Sequence, residues 1–385
     1  MDNYDVSVIS CEDYSDENVE TALKSSLERI NGLDFVKSGM VIGIKANLVT
    51  AMKPDLAATV HPSVICALVK ILRERGAEVI IGDSPGGIYS APYLKVVYDV
   101  SGMRRAETFG AKLNDDFSQS EIDYPQAVKA KHFPYTSWLS KVDAIIDVCK
   151  LKTHAMMGLS CAVKNFFGTI PGTKKPEFHY RFPKAEDFAD MLVDVYEYSK
   201  PALCICDAVI GMEGNGPTQG TPRKIGCLVA SKNGHMLDTI AADIIGIKAS
   251  EVPTIKAAQN RGLLTEDSSQ IRVFGDLSKF RIADFKTVEA QSSVFFKVLG
   301  DGFFGKVADF FASRVITPFP KLEPKSCVGC KKCAQICPAK AITMKNGKPH
   351  INRKICIHCF CCQEFCPMGA MRYGRHLIMR VLGRK

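Results

Sequence analysis

The chain has 385 residues, 46% of them hydrophobic, with 16 cysteines and a formal net charge of +9. That length exceeds one ordinary core and needs no disulfides to fold, which excludes a small disulfide-stapled scaffold and makes two domains the prior. Met1 to Asp5 lacks the basic and apolar regions of a signal peptide, and no run of 18 apolar residues offers a membrane span, so neither a secreted nor a transmembrane chain is expected.

Strand and helix signals alternate from the start. Val6 to Ile9 reads as a strand, Ser15 to Ile30 as an amphipathic helix with Val19, Leu23, Leu27 and Ile30 on one face, and Met40 to Ile44 as a strand. Pro62 to Arg75 is predicted helical with Pro in its first turn, and Ala77 to Ile81 is a short strand ending at Gly82-Asp83. Further strands are expected at Ala144 to Cys149, Ala202 to Asp207 and Ile225 to Ala230. Buried runs separated by helices predict an α/β domain over residues 1–292, built on a mainly parallel sheet covered on both faces.

Ligands of such sheets bind outside the carboxyl ends of the strands, and the polar residues cluster there. Lys45-Ala-Asn47 follows the second strand and Gly82-Asp83-Ser84-Pro85-Gly86-Gly87 the third. A denser segment holds Lys150, Lys152, His154, Lys164 and Asn165, and is predicted to enter a helix near Gly158 to Ser160. Free N–H groups at that helix start, together with the ammonium groups, would bind an anion. Lys152 and Lys164 would hold and polarise it, His154 would move a proton, and Lys45, Asn47, Asp83 and Asn165 would add contacts. Glu213 and Asn215 lie in the glycine-rich run Gly211 to Pro217, as ligand contacts or as turn formers. There is no dinucleotide fingerprint and no Walker loop, and no nucleic-acid partner is expected.

Residues 293–324 read as an aromatic-rich connector in which Phe295, Phe296, Leu299, Phe303, Phe304, Val307, Phe310 and Phe311 recur near helical spacing. Its apolar face is expected to pack between domains or to lie on a membrane surface. Over residues 325–373 the spacing Cys-x-x-Cys-x-x-Cys-x-x-x-Cys-Pro occurs twice. Three thiolates at this spacing wrap one 4Fe-4S cube and the fourth reaches the neighbouring cube, so the two sets are crossed. Cys327, Cys330, Cys333 and Cys366 are expected to hold one cluster, and Cys337, Cys356, Cys359 and Cys362 the other. A zinc ribbon is the competing reading, and two identical four-Cys runs each closed by Pro argue against it. Cys361, a ninth cysteine inside the second run, is out of register for a ligand. Ala341 to Ile351 alternates around Asn346-Gly347, predicting a hairpin in a small α+β, ferredoxin-like domain.

Residues 321–385 carry 14 Lys and Arg against only Glu323 and Glu364, a balance of +12 that leaves the first 320 residues at −3. Two oxidised cubes contribute about −2 each, so the loaded module stays basic. An acidic redox partner protein, the chain's own acidic domain or an anionic membrane is the expected docking surface. The basic tail, 374–385, pairs Leu377, Ile378, Val381 and Leu382 with Arg375, Arg380, Arg384 and Lys385, as a peripheral membrane helix would. Free thiols beside oxidisable clusters point to the cytoplasm, with the inner face of the membrane as a peripheral variant.

Lys45-x-Asn47, Gly82-Asp83-Ser84-Pro85, Lys150-x-Lys152-Thr153-His154, Lys164-Asn165-x-x-Gly168 and Met212-Glu213-Gly214-x-Gly216-Pro217 together resemble the domain of unknown function 362 family over about residues 5–290. That family is commonly fused to a ferredoxin, and the Cys runs resemble bacterial two-cluster ferredoxins. The resemblance implies an iron-sulfur protein without an agreed reaction. His154-x-x-x-Gly158-x-Ser160-x-x-x-Lys164, with Pro171-Gly172 beyond, is similar to a run in lactate racemase-like enzymes. There the matching His is an acid/base, the matching Lys carries a nickel pincer nucleotide, and a later His, matched here by His179, binds nickel. Cys161-Ala162-Val163 replaces the glycines before that Lys, and the Gly82 to Gly87 loop lacks the second catalytic His. These departures point to a shared fold rather than a shared nickel cofactor.

The leading expectation is an iron-sulfur oxidoreductase whose two clusters relay low-potential electrons to an anionic small molecule in the α/β domain. The alternatives are an electron carrier whose α/β domain only recognises a partner enzyme, and a racemase-like isomerase.

Overall fold

The computed structural model describes residues 4–288 and 318–374, which leaves most of the connector and the basic tail outside the described residues. The first half alternates β1 (Val6–Ser10), α1 (Asp16–Arg29), β2 (Val41–Ala46), α2 (Pro62–Glu74), β3 (Glu78–Gly82), α3 (Ala91–Ser101) and β4 (Ala111–Leu113). Each helix start has a local cause. Asp16 and Glu17 face the positive end of the α1 dipole, and Pro62 opens α2 behind His61, whose ring accepts from Ser63 N.

A side hairpin of β5 (Gln119–Asp123) and β6 (His132–Thr136) precedes β7 (Ala144–His154), β8 (Gly158–Ser160) and the short helices α4 (Ala162–Asn165) and α5 (Lys175–Arg181). Then follow α6 (Ala185–Ser199), β9 (Leu203–Glu213), β10 (Thr221–Ser231), α7 (Gly234–Ile244), α8 (Pro253–Asn260) and β11 (Val273–Phe274).

The sheet runs β11-β1-β10-β9-β7-β2-β3-β4, with β8 folded back on the end of β7. Its pairs are parallel except on both sides of β10 and at β8. Chain order moves outward from β2 to β3 and β4, then returns to the other side of β2 at β7. That reversal opens a crevice at the carboxyl ends of β2 and β7, where open α/β sheets hold ligands. Ile42, Ile44, Ile146, Val148 and Ile205 pack under α1, α2 and α3, whereas Ile145, Cys149, Leu151, Cys206 and Val229 face α6, α7 and α8. Alternate side chains of one strand thus enter two cores, which is why the strands read as unbroken apolar runs.

The small domain begins with β12 (Phe319–Leu322), within the stretch read as connector, and continues through α9 (Lys332–Ile336), β13 (Ile342–Lys345), β14 (Lys348–Ile351), α10 (Cys361–Glu364) and β15 (Met371–Gly374). β12 closes the domain against β15. Asn346 and Gly347 both take positive φ, at 48° and 72°, which makes the two-residue turn between β13 and β14. Among the described residues no helix is long and apolar enough to cross a membrane.

Candidate functional site between the two domains

At the carboxyl ends of β2, β3 and β7 six polar side chains form one hydrogen-bonded set. Lys152 Nζ donates to Asn47 Oδ1 at 2.6 Å and to the Ala58 carbonyl at 2.6 Å. Asn165 Oδ1 accepts from Asn47 Nδ2 at 2.8 Å and from Lys45 Nζ at 3.1 Å, while Asn165 Nδ2 donates to Asp147 at 2.6 Å. Lys45 also meets Asp83 Oδ1 at 2.8 Å, and the other Asp83 oxygen accepts from Leu48 N. All of these residues are buried. Gly168 makes the arrangement fit, because a Cβ there would come within 2.2 Å of Asp83 Oδ1 and 2.7 Å of Lys45 Nζ.

Above this floor lies a cavity of about 930 Å³, walled on one side by the α/β domain and on the other by the small domain. Lys152, Lys164, Lys175, His179, Ser84 and Asn165 supply its polar lining, and Met52, Ile88, Tyr93, Phe167 and Phe365 its apolar lining. Lys164 and Lys175 are ringed by protein yet keep a partly open face on the cavity. Lys175 Nζ donates to the carbonyls of Ser84 and Ile170. Lys164 lies 5.4 Å from the Phe167 ring centroid, and among the described residues no carboxylate lies within ion-pair distance of it.

Burial first, and then the Lys164 and Lys150 charges, push the Lys152 ammonium down to about 7. Burial also brings Lys175 to about 7, against the opposing pull of Asp83, with Lys45 and Lys164 adding to the fall. Lys164 is lowered by burial too, with Glu364 opposing. Three lysines crowded on one face, with one nearby carboxylate from the other domain, make an arrangement that can accept negative charge. Ser84 Oγ and His179 Nδ1, both in the lining, are buried without hydrogen-bond partners among the described residues, so both have capacity left for a ligand.

His154 lies behind Glu364, a residue of the small domain. Its Nδ1 accepts from Met156 N and Met157 N, which requires that nitrogen to be unprotonated and leaves the proton on Nε2. Nε2 faces Glu364 Oε1 at 3.0 Å, off the axis of a well-aligned hydrogen bond. Burial, and then Lys164, push His154 down to about 4, so the neutral ring is the form present at pH 7. Burial alone would raise Glu364, but the His154 contact and the Lys164 charge more than reverse it, to about 2.

The small domain is locked on by neighbouring contacts. Gln363 Nε2 donates to the carbonyls of Asn215 and Gly216, Tyr373 N to Asn215 Oδ1, and Gln219 Nε2 to the Cys366 carbonyl.

Within the small domain the cysteines divide around two small cavities. One is lined by Cys327, Cys330, Cys333 and Cys366, the other by Cys337, Cys356, Cys359, Cys362 and also Cys361, the ninth cysteine of the run. Burial raises Cys333, followed by Cys366, Cys330 and Cys327, and burial raises Cys356 to about 11, followed by Cys359 and Cys337. The donor set and spacing fit two four-iron cubes.

The structure gathers Lys45, Asn47, Asp83, Lys152 and Asn165 into one set and places Lys164 on the cavity. His154 reaches it only through Glu364. Glu213 and Asn215 do not line it, since Glu213 binds Lys286 and Asn215 binds the small domain. Lys150 is likewise taken up, by Asp207 at 2.9 Å and Tyr14 at 2.7 Å. The helix expected near Gly158 to Ser160 is instead β8, paired back on β7, and α4 begins only at Ala162. The N–H groups of Ala162 and Val163 are already bound by the Asp238 carboxylate, so that helix start offers no anion site. Strand propagation won there because His154 to Gly158 makes a tight reversal that keeps the β7 ladder going. Lys175 and Glu364 were missed. The signal for Glu364 was present, as one of two acids in a strongly basic stretch, between two cysteines of the second run.

An α/β scaffold whose strand-end crevice is roofed by a cysteine-rich module of cluster-binding design defines the class of protein. Residues 42–243 match the family described as Domain of unknown function (DUF362), and residues 319–367 match the 4Fe-4S dicluster domain. The chain belongs to the DUF362 family and carries a 4Fe-4S iron-sulfur domain of the electron-carrier kind. The thylakoid-associated protein sll1697 of Synechocystis sp. is 30% identical over 266 residues, covering 67% of this chain and 79% of that protein. Among solved structures, the lactate racemase apoprotein from Thermoanaerobacterium thermosaccharolyticum matches with a TM-score of 0.39 at 11% identity, over 61% of this chain and 56% of that one. A Thermotoga maritima protein matches with a TM-score of 0.37 at 14% identity, over 65% and 59%. The chain therefore spans a little over half the length of these two structures.

Proposed function

We propose that the protein is an iron-sulfur oxidoreductase in which two 4Fe-4S clusters, held by the crossed cysteine sets, deliver low-potential electrons to an anionic small molecule in the interdomain cavity. The observation that carries this reading is a shared wall: Cys366 lines both the first cysteine cavity and the large one. Electron transfer from a cluster ligated there needs no separate docking step. Clusters of this type supply one-electron transfer at potentials tuned by burial and hydrogen bonding.

The chain's own residues do the rest. Lys164 is the cation free to meet a carboxylate or phosphate, Lys152 sets the charge behind it, and Ser84 and His179 are positioned to orient the ligand. Neutral His154, its Nδ1 taken by two backbone N–H groups, positions the Glu364 carboxylate on the cavity wall, and a proton taken up from water by that carboxylate can accompany reduction. Cys330, Val328 and Met368 are exposed around the first cysteine cavity, beside Lys331 and Lys332. That rim suits an acidic redox partner as electron donor.

The test is anaerobic purification followed by mass spectrometry of small molecules released on denaturation. An organic anion at about one per chain, lost in Lys164→Met and able to reoxidise the reduced wild-type protein, is the expected result. A protein that carries and binds no anion, with cluster reoxidation by a partner protein unchanged in Lys164→Met, would favour the dedicated electron carrier instead.

A further inference from the structure

Seven cysteines lie in the α/β domain outside the iron-sulfur motif, and three of them converge. Cys149 on β7 and Cys206 on β9 are direct partners in the parallel ladder, pointing to the same face. Cys161, just before α4, brings its sulfur to 3.5 Å from Cys149 Sγ and 3.4 Å from Cys206 Sγ. All three sulfurs lie within 4.8 Å of one another, and all three residues are at most 1% exposed. Cys11, Cys66, Cys204 and Cys227 are buried outside this convergence, the common use of cysteine as a small hydrophobe. Three thiols from three separate segments, with Cys161 in contact with both of the others, are a different arrangement. Thiolates about 2.3 Å from one metal ion stand roughly 3.8 to 4.0 Å apart, so the two pairs that Cys161 makes, at 3.5 and 3.4 Å, need widen by only a few tenths of an ångström to fit a ligand set.

We propose that Cys149, Cys161 and Cys206 form a thiolate site for a soft, thiophilic d10 cation, distinct from the iron-sulfur clusters. Soft sulfur ligands select such ions, Cu(I) accepting three sulfurs and Zn(II) requiring a fourth donor. Among the described residues no carboxylate or imidazole joins the three sulfurs as a fourth donor, so Cu(I) is the ion the site suits best. Uptake displaces the S–H protons and ties β7, β9 and the start of α4 together. Lys152 lies three residues beyond Cys149 and Lys164 three beyond Cys161, so the ion would brace the floor of the large cavity. This inference is independent of the proposed reaction.

The experiment is metal analysis of the full chain, purified anaerobically after expression with zinc and copper supplied, with iron measured in the same samples. We expect about one equivalent of zinc or copper that survives dialysis against a chelator. X-ray absorption at that metal's edge should show three sulfur neighbours near 2.3 Å. Cys206→Ala and Cys149→Ala should each lose most of this metal at unchanged iron content. Three sulfurs alone identify Cu(I), and an additional oxygen neighbour identifies zinc with a water ligand. Less than about a tenth of an equivalent of either metal in the wild type would overturn the proposal. So would four sulfur neighbours, which mark zinc misplaced in the iron-sulfur domain. Because the wild-type measurement stands alone, poor folding of a variant does not shield the idea.

Discussion

Among the described residues no carboxylate lies within ion-pair distance of Lys164 where it meets the cavity, and its residue-scale predictions follow from that. Removing a charge-assisted contact costs about 2 kcal/mol, so Lys164→Met should weaken binding of the physiological anion by about 30-fold. The visible absorbance of the clusters should stay unchanged, since Lys164 belongs to the other domain. Calorimetric titration would reveal an unaffected affinity and so remove Lys164 from the site. A pH dependence follows from its neighbours. Lys152 and Lys175 are held near 7 chiefly by burial, so both are charged below that pH and neutral above it. Anion affinity should therefore fall as pH rises through about 7. For the ligand-free protein the sign is opposite. Between about 7 and the unfolded lysine value near 10.4 the unfolded chain binds more protons, so these two lysines make folding more favourable as pH rises. A binding profile flat from about pH 6 to 9 would show that neither lysine titrates at the site.

At the scale of elements, the turn from β9 to β10 matters more than its glycine content indicated. Gly216 lies where a Cβ would come within 2.2 Å of the Thr153 carbonyl, so the turn packs on the end of β7 while its Asn215 and Gln219 hold the small domain. Gln363→Ala together with Asn215→Ala removes contacts worth about 1 kcal/mol each. The double variant should keep its iron, show faster proteolytic cleavage between the domains and transfer electrons to the cavity more slowly. Unchanged cleavage and transfer would mean the domains are held elsewhere. Cys366→Ala tests the crossed ligand sets. It should halve the iron content by emptying the site of Cys327, Cys330 and Cys333, read by electron paramagnetic resonance of the remaining cluster. Loss of the cluster held by Cys356, Cys359 and Cys362 instead would make the sets sequential.

For the whole molecule the decisive quantity is the uneven charge, +12 over residues 321–385 against −3 over the rest. Exposed charges lose reach as the screening length shrinks from about 10 Å at 0.1 M salt to about 3 Å at 1 M. Electron transfer from an acidic donor should fall steeply over that range, and neutralising Arg375, Arg380, Arg384 and Lys385 should reproduce part of the fall at low salt. Binding of the intact chain to anionic vesicles, abolished by the same change, would assign the tail to a membrane surface. A salt-independent rate with an inert tail would leave the charge to solubility and cluster neutralisation.

The sequence by itself determined the alternation of buried strands and helices, the α/β class, the cysteine runs of the iron-sulfur domain and the hairpin at Asn346-Gly347. Each of these is written in local spacing, through the apolar run, the helical period, the Cys interval and the turn pair. It also named Lys45, Asn47, Asp83, Lys152, Lys164 and Asn165 as a group, because polar residues that follow apolar strands must lie at strand ends. Only the tertiary structure decided that Glu213 and Asn215 turn away from the cavity, that Asp238 fills the start of α4, and that Glu364 and Phe365 roof the site. Those outcomes depend on contacts between residues far apart in the chain, such as His154 with Glu364 and Ala162 with Asp238. No local pattern encodes them, because the free energy that settles each one comes from burial and pairing after the domains have met.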